Sequence, residues 1–170
     1  MSALVALCLS TGVLGGLFAV GCVFIGIPAW AGFIAWGCLV QAGGDMPAFN
    51  KTVAGNIFGT ICGWLAVLAM VSIPVDGNLW AVRGFLAVGL SLVIVILGSQ
   101  LKPLSLLPAA IYGYAAVFGF LFQSPEARSV DTLLRFGRSN GLLSVIVAMV
   151  LGAVVGLVAG KVTAALAHKQ

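Results

Sequence analysis

The side chains best suited to chemistry in this chain are amides and hydroxyls within or beside apolar segments. Asn56 and Thr60 lie four positions apart, so they share one face of a helix. Asn140 and Ser144 repeat that spacing. Such groups can replace the water hydrogen bonds of a polar solute that crosses a membrane. We predict that six residues line such a path or bind its solute: Gln41, Asn56, Thr60, Gln123, Asn140 and Ser144.

Two other roles for these polar side chains stay open. Amides and hydroxyls can simply hold neighbouring helices together. Asn56 and Asn140 also lie near predicted helix N-termini, where an amide can cap the first turn. Packing or capping predicts that replacement by alanine costs thermal stability and leaves flux unchanged. A conduit predicts normal folding with altered flux, similar for the two asparagines.

Glycines recur at every fourth position in two apolar segments. This spacing leaves bare backbone along one stripe of a helix, where another helix can approach closely. We predict helix packing at six glycines: Gly55, Gly59, Gly63, Gly152, Gly156 and Gly160. Two stripes exceed the needs of one small bundle, so we expect a homo-oligomer in which the second stripe faces a neighbouring protomer.

The sequence lacks the residues and motifs that catalysis requires. It contains no phosphate-binding loop, no His-Glu-x-x-His and no Gly-x-Ser-x-Gly. His168 lies in a polar tail. The acidic residues all fall in predicted loops: Asp45, Asp76, Glu126 and Asp131. The four cysteines lie in apolar segments without Cys-x-x-Cys spacing, so they resemble small hydrophobes. We therefore predict no enzyme, no cofactor and no metal site.

Composition indicates that a lipid bilayer covers most of the surface. Of 170 residues, 62% are hydrophobic and 7% are charged, whereas a soluble domain carries about a quarter charged residues. The basic residues are scattered over predicted loops, which suits phospholipid headgroups better than nucleic acid. The bilayer is the expected partner, and nucleic acid is not.

Apolar runs divide the chain into six segments, at residues 4–25, 28–42, 51–73, 79–98, 104–122 and 140–165. A membrane crossing needs about 20 apolar residues. The second segment has only 15, so it either spans a thin region or re-enters. Ser124 and the residues after it predict a short interfacial helix, with a solvated loop as the alternative.

Three ordered matches relate the two halves of the chain, at shifts of 80, 82 and 84 residues. They pair Pro28-Ala29 with Pro108-Ala109, Gly37–Gln41 with Gly119–Gln123, and Lys51, Asn56 and Thr60 with Arg135, Asn140 and Ser144. The glycine stripes do not correspond at these shifts. An odd number of crossings in each half would invert the second half relative to the first.

From these patterns we predict an all-α polytopic membrane protein of about six transmembrane segments, some of them short or broken. Residues 1–170 form a single membrane domain with inverted three-segment halves at about 4–73 and 79–165. The matched elements would then meet at the axis between the halves. That arrangement brings Gln41 near Gln123 and Asn56 near Asn140.

The whole chain resembles a known family, and the specific part of the resemblance lies in the second and third segments. The run Trp30-Ala-Gly-Phe, then Gln41-Ala-Gly-Gly, then Lys51-Thr-Val-Ala-Gly-Asn-Ile-Phe-Gly with Trp64 is similar to small bacterial inner-membrane proteins catalogued as domain of unknown function 1097. The resemblance implies a multi-pass protein of the bacterial inner (cytoplasmic) membrane and brings no established activity. A looser likeness, at the level of fold, is to urea- and ammonium-type channels.

The predicted function is a passive channel or facilitator for a small uncharged polar solute. Proton-coupled carriers usually keep an ionisable residue at membrane depth, and the third and fourth segments contain none between Thr52 and Val75 or between Gly84 and Gln100. Two alternatives stay open. One is a structural or accessory membrane subunit, and the other is a secondary carrier for a small metabolite.

Overall fold

A computed structural model of the chain describes residues 1–73 and 79–167. It is all-helical over those ranges, with 85% helix and no strand. Pro74, which follows the predicted third segment, the predicted loop residue Asp76 and the tail residue His168 lie outside the described residues.

The α-helices are α1 (Ala3–Ile25), α2 (Ala29–Gln41), α3 (Met46–Ser72), α4 (Leu79–Gly98), α5 (Leu107–Gln123), α6 (Val130–Leu134) and α7 (Gly141–Leu166). Within the described ranges, α1, α3, α4 and α7 are long and apolar enough to cross a membrane. α2 and α5 are apolar but have only 13 and 17 residues. At 1.5 Å per residue, α2 is about 20 Å long, less than the roughly 30 Å of a hydrocarbon core.

α3 and α7 begin with the same kind of cap. The Asp45 carboxylate accepts the Ala48 backbone N–H at 2.8 Å, and the Asn140 side chain accepts the Leu143 N–H at 3.2 Å. α3 therefore starts five residues before the predicted Lys51, because Pro47 lies in its first turn, where proline removes no helical hydrogen bond.

The region after α5 contains less helix than the sequence predicts. Ser124 precedes a 3₁₀ turn at Pro125–Arg128, and the five-residue α6 begins only after Ser129. The Ser129 hydroxyl accepts the Thr132 backbone N–H at 3.2 Å and so caps α6. Leu133 is buried, which ties this short helix to the bundle.

The closest helix crossing joins α3 to α5. Gly55 faces Ala109 and Gly63 faces Val117, so the two helices run in the same direction. At the crossing a methyl group on Gly113 would overlap the carbonyl of Asn56. Backbone thus lies directly against backbone, as the glycine stripe of α3 predicts.

A second crossing of the same construction joins α2 to α7. Gly32 faces Gly152 and Trp36 faces Gly156, so these helices are also parallel. A methyl group on Gly32 would press on the carbonyl of Ala148 at 2.7 Å. Ala148, Gly152 and Gly156 therefore take the places in this crossing that Gly55, Gly59 and Gly63 take in the other.

The remaining neighbours are antiparallel. Gly84 of α4 faces Met70 near the end of α3, and α7 begins where α5 ends, because Gly141 faces Leu121. Further contacts between antiparallel helices are Gly98 with Phe58 and, for α1 and α7, Gly26 with Arg138 and Ser10 with Thr163. The six helices α1–α5 and α7 therefore alternate in direction along the chain.

Small residues fill much of the interior, and large apolar side chains cover most of the outside. One core cluster consists mainly of alanines: Ala31, Ala35, Ala116, Ala148 and Ala153, with Val145 and Met149. α4 buries Ser91 and Val95 and exposes most of its Leu, Val, Ile and Phe side chains. A surface of this kind is compatible with a membrane protein, because lipid can cover it.

The second glycine stripe is largely occupied within the chain. Gly152 and Gly156 are buried against α2, and only Gly160 is exposed, with no described atom within 4 Å of the position that a Cβ atom would take. The prediction that this stripe faces a neighbouring protomer is therefore wrong for Gly152 and Gly156. The homo-oligomer itself stays a prediction.

Candidate functional site

The candidate site is a row of polar side chains along α3. Thr52, Asn56, Thr60 and Trp64 follow one another at intervals of four residues, and we call them the α3 polar stripe. Thr52, Asn56 and Thr60 are 0%, 1% and 0% exposed. The stripe extends over about 18 Å of helix axis. It adds Thr52 and Trp64 to the predicted residues, and the same spacing in the sequence could have identified both.

The stripe winds around α3, because four residues exceed one turn of 3.6 residues. At one end, the Thr52 hydroxyl lies beside the thiol of Cys38 on α2. Further along, the Thr60 hydroxyl donates to the carbonyl of Asn56 at 2.8 Å and approaches the carbonyl of Gly113 on α5 at 3.2 Å. The stripe therefore passes from the α2 side of the bundle to the α5 side.

The Asn56 carboxamide is buried and unpaired. Neither Oδ1 nor Nδ2 forms a hydrogen bond with any described residue. A carboxamide offers two donors and an acceptor, and burying the whole amide without a hydrogen bond costs about 1–3 kcal/mol. The helix crossing holds the Asn56 backbone in place at Gly113, so the side chain stays inside the bundle.

Two neighbours on the stripe also lack an oxygen or nitrogen partner among the described residues. The Thr52 hydroxyl and the Trp64 indole N–H are buried and form no hydrogen bond to a described oxygen or nitrogen atom. Three of the four members of the stripe thus keep hydrogen-bonding capacity in the interior. None carries a charge, so the stripe suits a neutral molecule with donor and acceptor groups.

Asn140 and Ser144 have a different environment. The Asn140 amide nitrogen donates to the carbonyls of Leu133 and Arg135 at 2.9 and 3.0 Å, and its oxygen caps α7. The Ser144 hydroxyl donates to the carbonyl of Arg138 at 2.6 Å. Both side chains hold the connection from α6 to the start of α7, which is the geometry of the capping alternative.

Asn140 is therefore not the structural counterpart of Asn56. Asn140 stands immediately before its helix, whereas Asn56 lies eleven residues beyond the cap residue Asp45. The sequence matches pair the two asparagines by local spacing, but their positions within the helices differ. In its capping role Asn140 instead resembles Asp45.

Gln41 and Gln123 lie at opposite ends of the bundle. Each is exposed and is the last residue of its helix, α2 or α5. α2 runs with α7, and α7 runs against α5, so the two C-termini point in opposite directions. The prediction that the glutamines meet is wrong. Of the six predicted residues, Asn56 and Thr60 are the two that the buried site contains.

Other reactive groups are few in the part of the chain that the structure describes. Cys8 is exposed, whereas Cys22, Cys38 and Cys62 are buried free thiols. No group of three His, Cys, Asp or Glu side chains could hold a metal ion within residues 1–73 and 79–167. Ser91 and Tyr114 share a buried hydrogen bond of 2.8 Å that ties α4 to α5.

Comparison with known proteins gives one match. A family profile described as "Protein of unknown function (DUF1097)" covers residues 8–164. This match confirms the resemblance indicated by the runs at Trp30, Gln41 and Lys51. Searches of curated proteins and of solved structures return no significant match.

Proposed function

We propose that the chain, which belongs to the DUF1097 family, is a multi-pass protein of the bacterial inner membrane that passively conducts a small uncharged polar solute. The proposed solute offers both hydrogen-bond donors and acceptors. It binds to the α3 polar stripe on its way across the bilayer. The unpaired, buried carboxamide of Asn56 is the observation that carries this proposal.

The position of Asn56 suits a crossing molecule. α3 has 27 residues, and Asn56 lies about 16 Å from its cap, near the middle of a bilayer that the helix spans. A polar solute loses its water hydrogen bonds there, and the carboxamide can replace them. The solute in turn forms hydrogen bonds with groups of the stripe that have no partner among the described residues.

We further propose that the membrane domain consists of two inverted halves, α1–α3 and α4–α7. Support comes from the alternating helix directions, which make α1, α2 and α3 antiparallel to α4, α5 and α7 respectively. The two glycine crossings also support inverted halves, because the short helix of each half packs against the last helix of the other: α5 against α3, and α2 against α7. In this register the glycine stripes coincide and the residue that corresponds to Asn56 is Met149, so one half alone carries the amide.

Asn56 is closed off in the described conformation, with 1% of its surface exposed. A facilitator must therefore open for a solute to reach the stripe. The glycine crossing at Gly59 and Gly113 is unsuited to that movement, because the backbones already touch. We propose that opening occurs on the Thr52 side, where a thiol rather than a backbone carbonyl faces the stripe.

The second candidate is a structural or accessory subunit without transport activity. It is favoured by the hydroxyls of Thr60 and Ser144 and the amide of Asn140, all of which bind backbone carbonyls and hold elements together. Under this proposal the Asn56 amide is buried without a hydrogen-bond partner and has no function, and the bundle never opens.

Stopped-flow swelling of proteoliposomes separates the two candidates. The purified chain is tested with neutral solutes such as urea, small amides and glycerol. A facilitator makes at least one solute cross faster than it crosses protein-free liposomes. Asn56→Ala abolishes the increase, and Asn50→Ala, which changes an exposed asparagine of the same helix, retains it. Equal rates for all solutes with and without protein would leave the structural subunit as the function.

A further inference from the structure

The described cations divide by type between the two ends of the bundle. One end, where α3 finishes, carries the arginines: Arg83, Arg128, Arg135 and Arg138. The end where α3 begins carries the lysines: Lys51, Lys102 and Lys161. A guanidinium binds phosphate through a planar fork of N–H groups, whereas an ammonium acts as a point charge. The arginine end is therefore the better suited to phosphate groups.

Apolar grooves open at the arginine end, and each has an arginine at its edge. One lies between α3 and α5 beside Arg128, a second lies between α3 and α4 beside Arg83, and a third lies near the start of α7 beside Arg138. A groove between α1 and α7 near the lysine end contains no charged lining residue among those described. The three grooves with an arginine at the edge thus all lie at the same end.

Of the three arginines at these grooves, Arg128 is the one held by the most contacts. Arg128 Nε donates to the carbonyl of Leu121 at 2.8 Å, and Nη2 donates to that of Phe122 at 3.3 Å. The guanidinium also lies 5.4 Å from the centroid of the Phe122 ring. Three of the five N–H groups of an arginine stay available. Arg128 forms no ion pair with any described carboxylate, in contrast to Arg135, which pairs with Asp131 at 2.7 Å.

We propose that this groove binds a phospholipid with an anionic headgroup. One acyl chain lies against Val67, Met70 and Phe118, and the phosphate contacts the guanidinium of Arg128. The apolar walls favour a lipid over a free phosphate ion, which would gain nothing from them. The positive charge favours an anionic over a zwitterionic headgroup by charge complementarity. This inference does not depend on solute transport.

Native mass spectrometry of the full chain in detergent tests the proposal. Phosphatidylglycerol and phosphatidylcholine with identical acyl chains are titrated separately. We expect bound phosphatidylglycerol at a concentration about fivefold lower, which corresponds to the ~1 kcal/mol of one basic residue near an anionic lipid. Arg128→Gln should remove this preference. Arg135→Gln, which removes the same charge from the same end, should retain it.

Two further arms make the result decisive. Val71→Trp fills the groove and leaves Arg128 in place, so it should lower lipid occupancy even if Arg128→Gln does not fold. Soluble glycerophosphate, added as competitor, should not displace the lipid. The proposal is overturned by equal binding of the two lipids, by equal losses in the Arg128 and Arg135 variants, or by displacement with glycerophosphate at comparable concentration.

Discussion

Replacing the two asparagines by alanine should have opposite consequences for stability. Asn140→Ala removes a helix cap, worth about 1 kcal/mol, and two hydrogen bonds to the carbonyls of Leu133 and Arg135, worth about 1 kcal/mol each. These contributions overlap, because one side chain makes all three. We expect a loss of about 2–3 kcal/mol in the free energy of unfolding.

Asn56→Ala removes an amide that has no partner among the described residues. Its removal relieves a desolvation cost of about 1–3 kcal/mol. The lost packing of three side-chain atoms offsets about 1 kcal/mol of that gain. We expect an effect between no change and a gain of about 2 kcal/mol.

Thermal unfolding of both variants in the same detergent provides the measurement. For a chain of this length, 1 kcal/mol shifts Tm by about 2–4 °C, so Asn140→Ala should unfold roughly 4–12 °C below the unmodified protein. Asn56→Ala should unfold at or above the unmodified Tm, and Asn50→Ala serves as the exposed control. If Asn56→Ala loses as much stability as Asn140→Ala, the amide has a partner in the folded protein and the reasoning from an unpaired group fails.

The other predictions concern packing. Gly113→Ala should cost at least about 3 kcal/mol and reduce the yield of monodisperse protein, because the methyl group overlaps a backbone carbonyl. Gly152→Leu should prevent folding, whereas Gly160→Leu should leave the elution profile unchanged, since that position is open; equal behaviour would contradict the described crossing. Tyr114→Phe should cost about 1 kcal/mol in thermal unfolding through its bond to Ser91, and no added loss in the double variant with Ser91→Ala is expected.

The sequence predicts the helices well where apolar length decides the boundary. The predicted segment at 79–98 coincides with α4, and the segment at 28–42 exceeds α2 by one residue at each end. The start of α3 is missed, because Pro47 next to Gly43 and Gly44 looks like part of a turn. Its position in the first turn after the Asp45 cap makes the proline compatible with helix.

The site is predicted only in part, because helix periodicity and helix pairing carry different information. Spacing alone places Asn56 and Thr60 on one face. It does not state which helices touch, so Asn140 looks equivalent to Asn56 although it is a cap. The prediction that Gln41 meets Gln123 is wrong for the same reason. Their positions follow from the directions of the helices, which no local sequence pattern records.

The two glycine crossings provide an internal comparison that bears on the role of Asn56. The α2–α7 crossing achieves the same contact of backbone on backbone, with Gly152 against the carbonyl of Gly32 where Gly59 lies against the carbonyl of Ala110. Only backbone atoms and small residues are needed for that contact. Packing therefore does not require an amide at residue 56, and an unpaired amide there carries a cost that alanine avoids. A role in binding explains why a polar group occupies a position that the other crossing fills with the buried apolar side chain of Met149.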